Sequence, residues 1–345
     1  MASDRTLLPL ARARQPLYAG LDLGGTNIKS ALVDDAGDVV AFHSEPTHAS
    51  RGPEDAAARM GRAVHALASR VGVAAADIAR VGLGSPGPLD LEAGTIVRAG
   101  NLPGWDGFPL RDRVASHAGC AVTFANDANA AAYGEFWVGS ARGASSLVLL
   151  TLGTGVGGGI IIGDVNVEGA HSHGSECGHM IVDPSPAARM CPCGQPGHLE
   201  AYASATSLTA MAAEQLAAGV GGSLAEAVAA GEQLTPILLA REAERGDRVA
   251  HGVLMDAARW LGIGIVSLMH AIDPAVVALG GAMTFGRDDH PVGRAFLARI
   301  RDEVHRRTFP LLAERTSICY AGLGGDAGAI GAAGLARLAH RGHSG

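Results

Sequence analysis

Two stretches of this chain repeat one device. LDLGGTNIKSALVDDAG (residues 21–37) and LTLGTGVGGGIIIGDVN (residues 150–166) each read apolar strand, glycine turn, apolar strand, polar turn. A chain that writes this twice is constrained to a duplicated α/β architecture: two similar halves, with a cleft that sets the glycine turns opposite each other. The surrounding pattern agrees. Strands at 17–23, 28–33 and from Val39 form an antiparallel meander, followed by a helix at 53–71 with Pro53 in its first turn. A strand at 78–83 runs into Gly84-Ser85-Pro86-Gly87-Pro88. A strand at 121–124 meets Asn126-Asp127 and a helix at 128–137. In the second half, strands at 147–152 and 160–162 precede helices at 205–216, 236–245 and 248–272. A strand at 275–279, a helix at 292–307, a strand at 317–321 and a helix from Asp326 close the chain, the last expected to fold back onto the first half.

The glycine turns have a physical logic. Gly24 and Gly25 let backbone N–H groups approach phosphate oxygens without a Cβ in the way, Thr26 adds a hydroxyl, and Asn27 follows. Asp22, at the strand end, is placed to hold Mg²⁺ through water, and Lys29 is either near the transferred phosphate or a solvated strand residue. Thr151, Gly153, Thr154, Gly155 and Gly157 offer the same chemistry in the second loop. Gly280 and Gly281, ending a buried strand, offer bare backbone to a flat adenine. The competing explanation for any one loop is a tight turn that needs positive φ. Neither loop follows Gly-x₄-Gly-Lys-[Ser/Thr], and both lead into strands rather than helices, which excludes the usual dinucleotide fold.

Taken together, LDLGGTNIK, FANDANAAAYGE, LTLGTGVGGGI, GSECGHM and CPCGQPGHLEAYAS resemble the ROK family (repressors, open reading frames, kinases) of bacterial sugar kinases, and its glucokinases most. The resemblance runs in order from about Leu17 onward. It implies an α/β actin-like (ribonuclease H-like) ATPase fold of two lobes flanking a cleft, as a homodimer. Residues 1–16 would then be a flexible tail and 17–134 a small N-terminal lobe, completed by a C-terminal helix at 326–341. Residues 135–325 would form a large lobe with a zinc-binding loop at 179–198. By the same resemblance Asp127 matches the catalytic base, and Asn126, Glu176, His179 and Glu200 match ligands of sugar hydroxyls. His179, Cys191, Cys193 and the position of His198 match structural Zn²⁺ ligands.

These residues carry the chemistry such a role needs. Phosphoryl transfer to an alcohol asks for positioning, charge neutralisation and a base for the hydroxyl proton, which an Asp at a strand-to-helix junction supplies. The plainer role of Asn126-Asp127-Ala128 is helix capping, and the two roles coexist if the side chains divide the work. Hexoses are polyols, so several donors and acceptors must surround the ring, with Gly87 and Asn101 completing the set. Cys191-Pro192-Cys193 with His198 gives Cys-x-Cys-x₄-His, and His179 makes it Cys₂His₂, suited to tetrahedral zinc. The commoner family pattern has Cys where His198 stands. Zinc there would anchor the loop carrying Glu176 and the start of the helix carrying Glu200, preorganising the sugar ligands without taking part in the reaction.

Composition removes other classes. A net charge of −7 gives no electrostatic case for nucleic acid. No apolar run approaches the roughly 20 residues needed to span a bilayer. Five cysteines without a disulfide-like spacing suit a reducing, cytoplasmic setting. A sugar-responsive repressor would carry a helix-turn-helix before the first strand, and sixteen residues are too few for one. The expected reaction is transfer from ATP-Mg²⁺ to D-glucose. The alternatives are N-acetylglucosamine, N-acetylmannosamine, mannose, fructose or allose as acceptor, a polyphosphate donor, and a non-catalytic sugar sensor.

Overall fold

The computed structural model describes residues 7–98 and 102–342. In chain order the first elements are β1 (Leu17–Leu23), β2 (Asn27–Val33), β3 (Val39–Pro46), α1 (Pro53–Arg70) and β4 (Ile78–Ser85). A short β5 (Leu89–Asp90) and β6 (Thr95–Ile96) lead to α2 (Leu110–Ala118), β7 (Val122–Asn126) and α3 (Asp127–Trp137). Then come β8 (Ser146–Leu152), β9 (Val156–Ile162), β10 (Val165–Asn166), α4 (Glu200–Ala203), α5 (Ala205–Ala217), α6 (Ser223–Ala229) and α7 (Pro236–Glu244). The last are α8 (Arg248–Ile272), β11 (Val276–Gly281), α9 (Pro291–Arg307), α10 (Pro310–Arg315), β12 (Ser317–Tyr320) and α11 (Ala327–Gly342).

The duplication read from the glycine turns is visible in the sheets. One sheet has the order β3-β2-β1-β4-β7 and the other β10-β9-β8-β11-β12. In the first, β1 pairs antiparallel with β2 and parallel with β4, which pairs parallel with β7. In the second, β8, β11 and β12 run parallel and β10 pairs antiparallel with β9. The strand feeding each glycine turn, β1 or β8, is thus the middle of five. Both are buried along almost their whole length, which is why they read as continuous apolar runs rather than alternating ones.

The chain divides into two compact units, one of residues up to 143, 159–175 and from 322, the other of 144–158 and 176–321. In the first, α1 buries Met60, Val64 and Leu67 against the sheet, each burial being worth about 1.5–3 kcal/mol. Helix α11 lies on β1, β4 and α3, and its run of Ala and Gly is dictated by that approach. A Cβ on Gly20 of β1 would stand 1.8 Å from the Ala329 carbonyl oxygen, and one on Gly82 of β4 1.8 Å from that of Ala332.

In the second unit α8 packs on α4, α5, α7 and α9. Among the described residues it is the one helix long and apolar enough to cross a membrane, with 61% of its apolar window buried inside the protein. Arg248, His251, Asp256, Arg259 and His270 interrupt it, so it serves here as a core helix.

Three observations differ from the sequence reading. The stretch before β1 is not loose where it is described: Leu8 N–H donates to the Val39 carbonyl, Asp35 N–H to that of Arg14, and Arg14 N–H to the Asp34 carboxylate at 2.8 Å. The glycines after Val156 lie in strand β9 rather than in a loop, because a Cβ on Gly159 would stand 2.4 Å from that of Ala132 on α3. Helices α2, α6 and α10 were not read at all, being short and mixed in polarity.

Candidate active site and metal centre

In the first unit the hairpin β1–β2 sets Asp22 opposite Lys29 in register. Gly24 N–H closes the turn onto the Asn27 carbonyl at 2.9 Å, so that donor is spent within the turn and the exposed Gly25 and Thr26 form its tip. The turn is held from below by Thr47, which follows β3 and is fully buried. Its hydroxyl donates to the Gly24 carbonyl at 2.6 Å and its N–H to the Thr26 carbonyl at 2.8 Å. Arg59 of α1 donates in turn to the Thr47 and Pro46 carbonyls and pairs with Glu45 at 3.2 Å and Asp55 at 2.9 Å.

Asp22 is the electrostatic focus of this unit. Burial, then the negative charge of Asp127 and more weakly of Asp326, push its carboxyl from 3.8 to about 7 against the opposing pull of Lys29. Helix α11 closes on it: a Cβ on Gly328 would stand 2.6 Å from the Asp22 carboxyl carbon. Lys29 does not project free into solvent, since its Nζ donates to the Gly325 carbonyl in the turn before α11. A carboxylate whose charge is resisted by two others is a donor set that a divalent cation relieves, so Mg²⁺ fits the residues present.

Asn126 and Asp127 end β7 and open α3. Asn126 Oδ1 takes the cap, accepting from Ala128 N–H at 2.9 Å and Asn129 N–H at 3.3 Å, and Asp127 Oδ1 also accepts from Ala128 N–H at 2.8 Å. The capping role is therefore present and falls mainly to Asn126. Gly87 adjoins it, with a Cβ there standing 3.3 Å from Asn126 Nδ2. Asn101 lies outside the described residues. At the far end of α3, buried Glu135 accepts from Ser140 N–H and hydroxyl, each at 2.8 Å, from Gly322 N–H at 2.9 Å and from Leu323 N–H at 2.7 Å. It fixes the segment that leads to Gly325 and Asp326.

In the second unit the turn after β8 is closed by Gly153 N–H onto the Gly155 carbonyl at 3.0 Å. It rests on the start of α5: Ala205 N–H donates to the Gly153 carbonyl at 2.8 Å and the Thr206 hydroxyl to that of Thr154 at 3.0 Å. Glu200, opening α4, accepts from Val156 N–H through Oε2 at 2.9 Å, and its Oε1 lies 3.7 Å from Cys191 Sγ. A Cβ on Gly155 would meet that carboxylate at 2.3 Å, whereas one on Gly153 would meet nothing within 4 Å. Neither glycine is among those with positive φ. Thr151 pairs with Gly280 across β8 and β11, and Gly157 is half-buried in β9. Gly281 is required by the fold alone, with φ of 89° and the Leu152 carbonyl 2.3 Å from any added Cβ.

The donor atoms of His179, Cys191, Cys193 and His198 all lie within 4.8 Å of one another. His179 Nδ1 is 3.3 Å from His198 Nδ1 and 3.9 Å from Cys191 Sγ, and Cys193 Sγ is 3.2 Å from His198 Nδ1. Tetrahedral zinc with ordinary Zn–N and Zn–S lengths requires edges of roughly 3.3–3.8 Å. The cluster fits, and His198 takes its place in it. Burial pushes the Cys191 thiol pKa up, which a bound cation would reverse. Glu176 is exposed, and its carbonyl accepts from His179 N–H at 3.0 Å.

Sequence reasoning missed Thr47, Arg59 and Glu135, which act through backbone contacts distant in sequence, and Asp326, whose charge bears on Asp22. It found Glu200 but not its hold on the second glycine turn.

The ROK family model matches residues 18–339. A glucokinase of Halalkalibacterium halodurans is 34% identical over 91% of this chain and 92% of its own. A ROK hexokinase from Thermus thermophilus superposes with a TM-score of 0.79 at 32% identity, over 95% of this chain and 100% of that one. A ROK family glucokinase from Streptomyces griseus, solved with glucose and AMPPNP, gives 0.75 at 32% identity over 94% and 100%. A match over this length, with the repeated sheets and the His/Cys cluster in place, is decisive: the chain belongs to the ROK family.

Proposed function

We propose that this protein is a glucokinase, transferring the γ-phosphoryl group of ATP to the 6-hydroxyl of D-glucose. The observation that carries the reading is the closeness of two carboxylates, Asp127 at the first residue of α3 and buried Asp22, whose charges oppose each other. The glucokinase relatives and the glucose–AMPPNP complex of one of them support the acceptor and the donor.

Asp127 takes the proton of the attacking hydroxyl, while Asn126 fixes the start of α3 and offers its amide to the sugar. Asp22 would hold Mg²⁺, which would supply charge neutralisation at the phosphates. Gly25, Thr26 and Thr154 present backbone to the phosphates. Gly153, whose N–H is spent on the Gly155 carbonyl, gives them clearance, since nothing in the fold demands a glycine there. Gly87, Asn101, Glu176, His179 and Glu200 complete the sugar ligands. His179 turns Nδ1 to the cluster, which leaves Nε2 for a hydroxyl. His179, Cys191, Cys193 and His198 would hold a zinc ion that would cross-link the segments bearing Glu176, His179 and Glu200. The same reading carries a cytoplasmic homodimer without nucleic-acid or membrane partners.

A coupled ADP-release assay with ATP-Mg²⁺ against glucose, mannose, fructose, allose, N-acetylglucosamine and N-acetylmannosamine tests it. Preference for glucose is expected. Preference for another sugar moves the substrate and keeps the mechanism. Silence on all of them with zinc-loaded protein, and on polyphosphate as donor, rejects the kinase reading.

A further inference from the structure

A cavity lies in the first unit, between the edge strand β3 and helix α1, with a volume of about 280 Å³. Its α1 wall is one helical stripe carrying Arg59, Arg62 and Arg70 over a floor that includes Leu67, and its β3 wall carries His43 and Glu45. Three guanidinium groups meet two carboxylates, Glu45 on the β3 wall and Asp55, both paired with Arg59. On a chain of net charge −7 this is a local reversal of sign, not part of a generally basic surface.

The three arginines are not equivalent. Arg59 is buried and committed to Asp55, Glu45 and the carbonyls of Pro46 and Thr47. Arg70 gives one Nη1 bond to the Phe42 carbonyl at 3.1 Å, and Arg62 is exposed. Two guanidinium groups with donors to spare, beside an imidazole, supply the charge-assisted donors that a phosphate accepts. The volume is just under the roughly 300 Å³ at which ordinary ligand pockets begin, so the occupant is small.

We propose that this groove binds a phosphate-bearing anion, either orthophosphate or a sugar monophosphate, through Arg62 and Arg70. The occupant lies against Arg59 and competes with Glu45 for it. Arg59 holds the Thr47 carbonyl, and Thr47 holds both Gly24 and Thr26. Occupancy is thereby felt at the first glycine turn through three consecutive contacts.

The test compares the wild-type holoprotein with the double variant Arg62→Gln/Arg70→Gln, neither residue belonging to the proposed catalytic set. Calorimetric titration with orthophosphate, with glucose 6-phosphate and with neutral glucose reads binding. The expected result is a dissociation constant about tenfold weaker in the variant for one or both phosphates, with glucose unaffected. The tighter of the two phosphates then names the source. The relay predicts that orthophosphate shifts the KM for ATP more in the wild type than in the variant. Equal phosphate binding by both proteins, no binding by the wild type, or equal KM shifts would overturn the proposal.

Discussion

The carboxylate of Glu200 accepts a hydrogen bond from the backbone N–H of Val156 at 2.9 Å, with its other oxygen 3.7 Å from Cys191 Sγ. One side chain thus joins the His/Cys cluster to the second glycine turn. Replacing Glu200 by Ala leaves the Val156 N–H without its partner, at a cost of about 1–3 kcal/mol if it stays buried. The KM values for ATP and glucose should both rise. Gln keeps an acceptor, so Glu200→Gln should restore the ATP value and leave the glucose value impaired. Matching effects of Ala and Gln on ATP would remove Glu200 from the support of that turn.

Gly153 and Gly155 separate folding from ligand binding. A Cβ at 155 collides with Glu200 at 2.3 Å, so Gly155→Ala should lower the melting temperature. A Cβ at 153 meets no protein atom within 4 Å, so Gly153→Ala should melt as wild type while its KM for ATP rises about tenfold. Unchanged kinetics in Gly153→Ala would take phosphate contact away from that position.

Removal of zinc should be felt in structure before chemistry. Purified protein is expected to carry about one zinc per chain by atomic absorption. Cys193→Ser should lose most of it, and chelation should lower both the melting temperature and the affinity for glucose. Full glucose affinity and unchanged melting in metal-free protein would leave the cluster without the positioning role given to it.

Asp22 predicts a pH dependence. Its carboxyl stands at about 7 in the folded chain against 3.8 when unperturbed, because burial and Asp127 oppose its anion. Between those values the folded chain holds a proton that the unfolded chain has released. Stability from this group is full below a pH of about 4, falls as pH rises to about 7, and is level above. Ligand-free wild type should therefore lose melting temperature between pH of about 4 and 7, and Asp22→Asn should lose less. Identical slopes would show that Asp22 is ionised throughout.

Much of the fold was legible because it is written in long apolar runs. The strand at 17–23 and the helix at 248–272 lie where the pattern puts them, and the repeated turn announces two sheets of the same order. Short α2 escaped because LRDRVASHA has no sustained apolar face. The start of β9 escaped because glycine usually breaks strands, whereas here α3 crowds it. At the site, Asp22, Asp127 and the Cys-x-Cys pair are local features, and Asn126 could be read as a cap. Thr47, Arg59 and Glu135 are ordinary residues whose work depends on partners up to 188 positions away, and no spacing rule reaches that far.

The most direct measurement is ADP release by Asp127→Asn with glucose and ATP-Mg²⁺, alongside calorimetric binding of glucose. The account predicts folded protein with wild-type glucose affinity and turnover reduced by about 10²–10⁴-fold. Turnover near that of the wild type would contradict it, because the proton of the attacking hydroxyl would then need another acceptor.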